Sequence, residues 1–208
     1  MQTKRSVFKM KDSKEQILNT ALNLFLQKGF KEVTMRELVE GAGLSKGAFY
    51  HYFKSKEDVF EEVVMRFARA LSIPNYDALS TTSLQEFYRN WLQHFSQRKS
   101  SWGQSASGES AVIQNHYYLI FDGIRLLPAF RDMFYKEQER EMAAWIKIID
   151  IARESKEIST DLPSRQIASM FAYVSDGLSF NLLMNNKIAM LDVEAVNAWD
   201  SMYALMKT

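Results

Sequence analysis

Residues 34–53 read TMRELVEGAGLSKGAFYHYF, and the fold follows from them. Thr34 and Glu37 have the spacing of a capping box, in which hydroxyl and carboxylate each accept from the other residue's backbone N–H. A short helix therefore starts after Thr34, with Leu38 and Val39 facing inward, and Gly41-Ala42-Gly43 ends it. Ser45 caps a second short helix, Lys46 to about Tyr52. Phe49 and Phe53, four residues apart, anchor its inward side. Gly47 and Ala48 keep the opposite side slim, and Ser45, Lys46, Tyr50 and His51 stand on it. Two short helices joined by a tight glycine-containing turn make a helix-turn-helix. A slim face carrying hydroxyls, an ammonium and a helix N-terminus suits phosphate oxygens.

Upstream, Ile17, Ala21, Leu24 and Phe25 recur at helical spacing. They predict a helix from Asp12 to Lys28, opened by Ser13 with Gln16 and closed by Gly29. The basic residues before it, Lys4, Arg5, Lys9 and Lys11, read as a tail that adds non-specific affinity for an anionic partner. Downstream, Ser55 to Asp58 opens a helix over 56–72 that carries Val59, Phe60, Val63, Val64 and Phe67 and stops before Pro74. Further helices follow: one opened by Ser83 with Glu86, one from Glu109 broken at Pro128, one onward to about Lys156, one from Ser164 to Asn185, and a last from about Asp192. Ser100 to Gly108 reads as a loop. Period-two alternation and hairpin turns are missing. The expected fold is all-α with about nine helices: a three-helix helix-turn-helix domain at 1–56 and a larger helical ligand-binding and dimerisation domain at 57–208, with helix 56–72 connecting them.

The formal net charge of +1 on 208 residues conceals a division. Residues 1–56 carry 11 Lys and Arg against 5 Asp and Glu, a balance of +6, and the remainder balances at −5. Such asymmetry points the front module at a polyanion and keeps the body off it. The absence of cysteine fits a cytoplasmic, reducing setting and removes thiolate nucleophiles, disulfides and Cys-based metal sites. Met1 to Lys14 is basic and polar, unlike a secretory signal. No apolar run reads as reaching the ~18 residues of a membrane span, so no membrane partner is expected.

Residues 13–64 resemble the DNA-binding domain of the TetR family of transcriptional repressors, also called TetR/AcrR. The resemblance is carried by Ile17 to Phe25 with Gly29-Phe30, by Thr34-Met35-Arg36-Glu37-Leu38, by Ala42 to Tyr50, and by Tyr52-Phe53-Lys54-Ser55-Lys56-Glu57. It implies a homodimer in which each subunit reads half of a palindromic operator on double-stranded DNA. It implies that Tyr50 and Lys56 touch phosphates and that Thr34, Arg36, Ser45, Lys46 and His51 face DNA. With Gly47, Ala48 and Tyr52 these make up the candidate DNA-binding set.

The body holds no catalytic constellation. His51, His94 and His116 have no ligand-spaced partners, and neither a phosphate loop nor a nucleophile elbow occurs. Neither enzyme activity nor a metal or other cofactor is expected. Trp91, Phe95, Trp102, His116, Tyr117, Phe121, Phe134 and Trp145 are the candidate ligand-binding residues, because pockets between bundle helices are mostly apolar with a few polar groups. Each aromatic taken alone reads as core; their density and the resemblance together point to a cavity for a small, partly apolar effector. The helix from Ser164 is apolar on most sides and must be buried on most sides. Phe171, Val174, Leu178 and Leu182, with Trp199 and Met202 of the last helix, are the candidate dimer interface. The sequence thus reads as a ligand-responsive DNA-binding regulator of the repressor kind. The alternative is a helical ligand-binding or scaffold protein without operator-specific DNA binding.

Overall fold

The structure, a computed structural model, describes the backbone of residues 2–71, 76–102 and 109–208. It describes their side chains apart from those at 2–12, 70, 71, 77, 95, 98–102, 109–114 and 116. Among the described residues there are nine α-helices: α1 (Gln2–Glu32), α2 (Met35–Gly41), α3 (Lys46–Tyr52), α4 (Lys56–Leu71), α5 (Leu84–Trp102), α6 (Glu109–Leu126), α7 (Pro128–Glu154), α8 (Ser164–Met184) and α9 (Leu191–Met206). Single 3-10 turns at Tyr76–Ala78 and Ile188–Met190 supplement them. No strand occurs among the described residues; one isolated antiparallel bridge joins Ile158 to Lys207.

The all-α expectation holds, with local differences. α1 begins at Gln2, so Ser13 lies inside the helix instead of capping it. Residues 2–28 contain neither Gly nor Pro, and nothing in them stops a helix from extending upstream. The basic tail is therefore helical backbone; the side chains of Lys4, Arg5, Lys9 and Lys11 lie outside the described residues. The helix is interrupted at Gly29, where φ is 73°. Pro128 breaks α6 by opening α7 at its first position, where a missing N–H costs nothing.

Two compact units form. One holds residues 1–70 and 115–132, the other 71–114 and 133–208. This grouping follows packing and places α4 with the helix-turn-helix; the functional division expected at residue 56 concerns what each part binds.

In the first unit, Ile17, Leu18, Ala21 and Phe25 of α1 bury with Leu38, Phe49, Phe53, Val59, Phe60, Val63 and Val64. Phe60 sits edge-on to Phe25 at 5.1 Å and against Phe30 at 4.6 Å. A Cβ added at Gly123 of α6 would lie 2.8 Å from Val64 Cγ1 and 3.0 Å from the Phe130 ring, so only glycine allows that close approach. One side of Phe30 is tied by its N–H donating to Asp122 at 3.4 Å.

In the second unit, Trp145 and Trp199 are fully buried with Tyr88, Leu84, Ile148, Ile149 and Phe171. Trp145 stacks on Phe171 at 5.2 Å and meets Phe87 and Trp199 edge-on at 4.9 and 5.3 Å. Edge-to-face and offset arrangements suit the ring quadrupoles. The Trp199 indole donates to the Phe171 carbonyl at 2.9 Å. Glu157, just beyond α7, accepts from the backbone N–H groups of Leu84 (2.9 Å) and Gln85 (3.2 Å) and from the hydroxyls of Ser83 (2.9 Å) and Tyr203 (3.1 Å). It satisfies first-turn donors of α5 that no local carboxylate reaches.

α8 corrects one sequence expectation. Its 21 residues, with mean hydropathy 1.2, are long and apolar enough to cross a bilayer by length and composition. In the fold its Ile167, Ala168, Phe171, Ser175, Leu182 and Leu183 are buried within the second unit.

Candidate nucleic-acid interface

The two caps read in the sequence are both formed. Thr34 Oγ1 accepts from the Glu37 N–H at 3.3 Å, and Glu37 Oε2 accepts from the Thr34 N–H at 2.9 Å. Lys28, in α1, donates to Glu37 at 2.5 Å. The Lys28 bond first, then those from Thr34, hold the Glu37 carboxyl down to about 2. Ser45 Oγ accepts from the Ala48 N–H at 3.3 Å and starts α3. Between the helices Gly43 takes φ 62°, the left-handed region that favours glycine.

The outward side of α3 is open. Ser45, Lys46, Gly47, Ala48 and His51 are exposed, while Phe49 and Phe53 are buried. A Cβ at Gly47 would meet nothing within 4 Å. Tyr50 and Tyr52 are half-buried: Tyr50 lies edge-on to Phe49 at 6.2 Å, and Tyr52 edge-on to His51 at 5.3 Å. The Lys46 ammonium stands 6.0 Å over the Tyr50 ring. Arg36 is exposed and bonds Glu40 through Nε at 2.7 Å.

Two residues of the set have structural work, of which the sequence revealed only the first. Thr34 is a cap before it is anything else. The Lys56 ammonium donates to the carbonyls of Phe30 (2.9 Å) and Lys31 (3.4 Å) and lies 4.4 Å over the Phe30 ring. It satisfies carbonyls at the end of α1, as cations at helix C-termini do. Lys54, outside the DNA-binding set, donates to the Tyr50 carbonyl at 2.5 Å and closes α3 in the same way.

The candidate ligand residues scatter. Tyr117 and Phe121 lie in the first unit, Phe121 half exposed, and Trp91, Phe134 and Trp145 lie in the second. The side chains of Phe95, Trp102 and His116 lie outside the described residues. Trp145 is fully buried and is core first; its indole N–H donates to Glu141 at 3.3 Å. Glu141 escaped the sequence reading because it sits in a run of alternating charges that looks like a solvated helix face.

The dimer set also needs correction. Phe171 and Trp199 are 0% exposed and Leu182 8%, so these three turn into their own protomer's core and present nothing to a partner. Val174, Leu178 and Met202 are half-buried. Beside them Met170, Tyr173, Phe180 and Met184 are exposed. Val174 and Met202 line a shallow groove with Gln166, Ser169, Met170 and Tyr173. A helix apolar on most sides can divide its apolar surface between its own core and a partner, and sequence alone does not say which residue goes where.

Fold and site define a helix-turn-helix protein with a larger helical body. The profile of the bacterial regulatory proteins of the tetR family matches residues 17–63. YerO of Bacillus subtilis, an HTH-type transcriptional regulator, is 50% identical over 48 residues, 23% of this chain and 17% of YerO. The HTH-type transcriptional repressor NemR of Escherichia coli K12 is 48% identical over 46 residues, 22% of this chain and 23% of NemR. The matched stretches thus span only 17% and 23% of these curated relatives. Solved structures extend the likeness of fold. Reduced E. coli NemR aligns with a TM-score of 0.61 at 22% identity, over 92% of this chain and 97% of that one. SmeT in complex with triclosan aligns with a TM-score of 0.64 at 16% identity, over 95% and 92%. Over residues 17–63 the chain is similar to the bacterial regulatory proteins of the tetR family, and over most of its length it shares the fold of solved members.

Proposed function

We propose that the protein is a homodimeric, ligand-responsive DNA-binding regulator, acting in the cytoplasm as a repressor released from a palindromic operator by a small, partly apolar effector. The observation that carries this reading is the open polar side of α3. Ser45, Lys46 and His51 stand exposed around a glycine with empty space before it, and the same helix is anchored behind by two buried phenylalanines. Such a helix can enter the major groove while its N-terminal N–H groups and Lys46 meet phosphates. The likeness to named regulators and repressors supports the same reading.

Two half-sites about one helical turn apart, ~34–36 Å, require two reading helices. The exposed apolar residues of α8 supply a surface that a second copy could cover. The effector would bind in the body and favour a dimer whose reading helices are mis-spaced; an effector binding both arrangements equally would shift nothing. Catalysis has no part in this reading.

Gel shift on genomic fragments tests it. The wild-type chain should retain a subset of fragments, and rising salt should weaken retention, because neutralised phosphates release counterions. The Lys46→Ala, Tyr50→Ala double variant should lose retention while remaining dimeric. Wild-type failure to retain any fragment would sink the regulator reading. Undiminished retention by the double variant would sink the assignment to α3.

A further inference from the structure

The helix-turn-helix carries one charge pair that stability does not explain. Residues 34–53 hold two acids, Glu37 and Glu40. Glu37 is committed to the Thr34 cap and to Lys28. Glu40 accepts from Arg36 Nε at 2.7 Å, with the two side chains 62% and 84% exposed. An ion pair this exposed contributes little to folding. It also stands the wrong way round. Arg36 is the second residue of α2 and Glu40 the last but one. A helix favours acids in its first turn and bases in its last, and an acid four residues before a base rather than after it. Residues that break a local rule without a gain in packing mark functional places.

Arg36 and Glu40 share one exposed row of α2, and the row runs on into the turn, where the Gly43 N–H donates to the Glu40 carbonyl at 3.1 Å. Gly43 is exposed, and so are Ser45, Lys46 and Gly47 at the start of α3. Arg36 thus continues the open polar strip of α3, and Glu40 stands along it between Arg36 and Lys46. The Glu40 bond occupies Nε of Arg36. Among the described residues no hydrogen bond or ion pair takes its Nη1 and Nη2 edge. Such an edge, presented end-on, pairs with O6 and N7 of a guanine in the major groove. A phosphate clamp would not be built this way, because an acid beside it repels phosphate and offsets the cation. A base edge carries no net charge. There the carboxylate acts by orientation, since a guanidinium already held loses less freedom on binding.

We propose that Glu40 is a positioning residue for base reading. It holds Arg36 by Nε so that the Nη edge meets a guanine in the major groove, and its own charge weakens binding to every sequence that lacks that guanine. This rests on the reading of the chain as a DNA-binding regulator and names a determinant of its sequence specificity.

The test uses the full chain, with duplexes selected from a random library and one scrambled duplex as probes. The wild type should require one guanine per half-site that Arg36→Ala no longer selects. Replacing it by 7-deazaguanine, which lacks the N7 acceptor, should weaken wild-type binding about tenfold and leave Arg36→Ala unaffected. Glu40→Ala should cut that loss to about threefold or less and should bind the scrambled duplex about threefold tighter, since one repulsive charge has left the phosphates. Glu40→Gln should keep the full 7-deazaguanine loss, because its amide oxygen still accepts from Nε, and should share the tighter hold on the scrambled duplex. The urea midpoint should not fall in either Glu40 variant. A 7-deazaguanine loss unchanged in Glu40→Ala, or a scrambled duplex bound equally by wild type and both Glu40 variants, overturns the proposal. So does a guanine preference that survives Arg36→Ala, and so does a lowered urea midpoint in Glu40→Ala, which would make the pair structural. In each of these cases the wild type still selects a site, and the regulator reading stands. A wild type that selects no duplex overturns that reading itself, and this proposal with it.

Discussion

Two glutamates show how differently the two regions are built. Glu37, in the helix-turn-helix, is held down to about 2 by Lys28 and Thr34; Glu141, in the body, is pushed up to about 7 by burial and acidic neighbours. The first is a solvated carboxylate surrounded by donors that favour its charge. The second is a half-buried acid whose charged form loses hydration and faces acids, with the Trp145 indole N–H as a donor that favours it. The front module is a scaffold of satisfied local bonds that frees one polar face for an outside partner. The body seals its aromatic core and keeps one half-buried carboxyl beside it that loses hydration on folding.

The sharpest break of this comparison is at the core. Trp199→Ala should cost about 4 kcal/mol of stability by opening a cavity among Tyr88, Trp91, Trp145 and Phe171, read as a fall in the urea midpoint. Removal of any exposed α3 side chain should cost under about 0.5 kcal/mol. A midpoint little changed by Trp199→Ala would mean that the body is not the sealed core described.

Next comes pH. The folded-state value of Glu141, about 7, lies above its ordinary 4.5, so the folded chain keeps a proton that the unfolded chain has released. Stability from this group should therefore fall as pH rises from about 4.5 to about 7, by up to ~3 kcal/mol. Glu37 acts oppositely: its contribution is complete above about 4.5 and is lost as pH falls towards 2. Thermal melts of wild type and Glu141→Gln between pH 4.5 and 8 check this, since the variant should lose most of the fall between pH 4.5 and 7.

Glu157→Ala should cost about 2 kcal/mol, because it orphans the Leu84 and Gln85 N–H groups and two hydroxyls at once. Hydrogen exchange should quicken first at the start of α5. Slow exchange there in the variant would show that Ser83 alone suffices as cap.

The smallest effect separates two lysines. Lys56→Met should cost about 1 kcal/mol of stability through the lost bonds to Phe30 and Lys31. Lys46→Ala should leave stability unchanged and lower the slope of log Kobs against log salt by about 0.9, one phosphate contact. A full unit of slope lost at Lys56 instead would return it to the phosphate set.

Legibility follows the same division. The Thr34–Glu37 and Ser45–Ala48 bonds span three residues each, so the helix-turn-helix could be read from one short string. Glu157 reaches Leu84 across 73 residues, and Tyr88 reaches Asp200 across 112; no local pattern announces such bonds. The apolar surface of α8 was legible as a quantity, but its division between core (Phe171, Leu182) and outside (Tyr173, Met184) depends on where α9 packs. Lys56 was legible as a cation near DNA and not as a cap, because its carbonyl partners lie 25 and 26 residues upstream.

The most direct measurement of the central claim, that α3 is a DNA-reading helix presented by a dimer, is selection of bound duplexes from a random library, with the Lys46→Ala, Tyr50→Ala variant in parallel. The account predicts enrichment by the wild type of a two-fold symmetric site with half-sites about one or two helical turns apart, and none by the variant. Enrichment of no sequence, or of the same site by both chains, would contradict it.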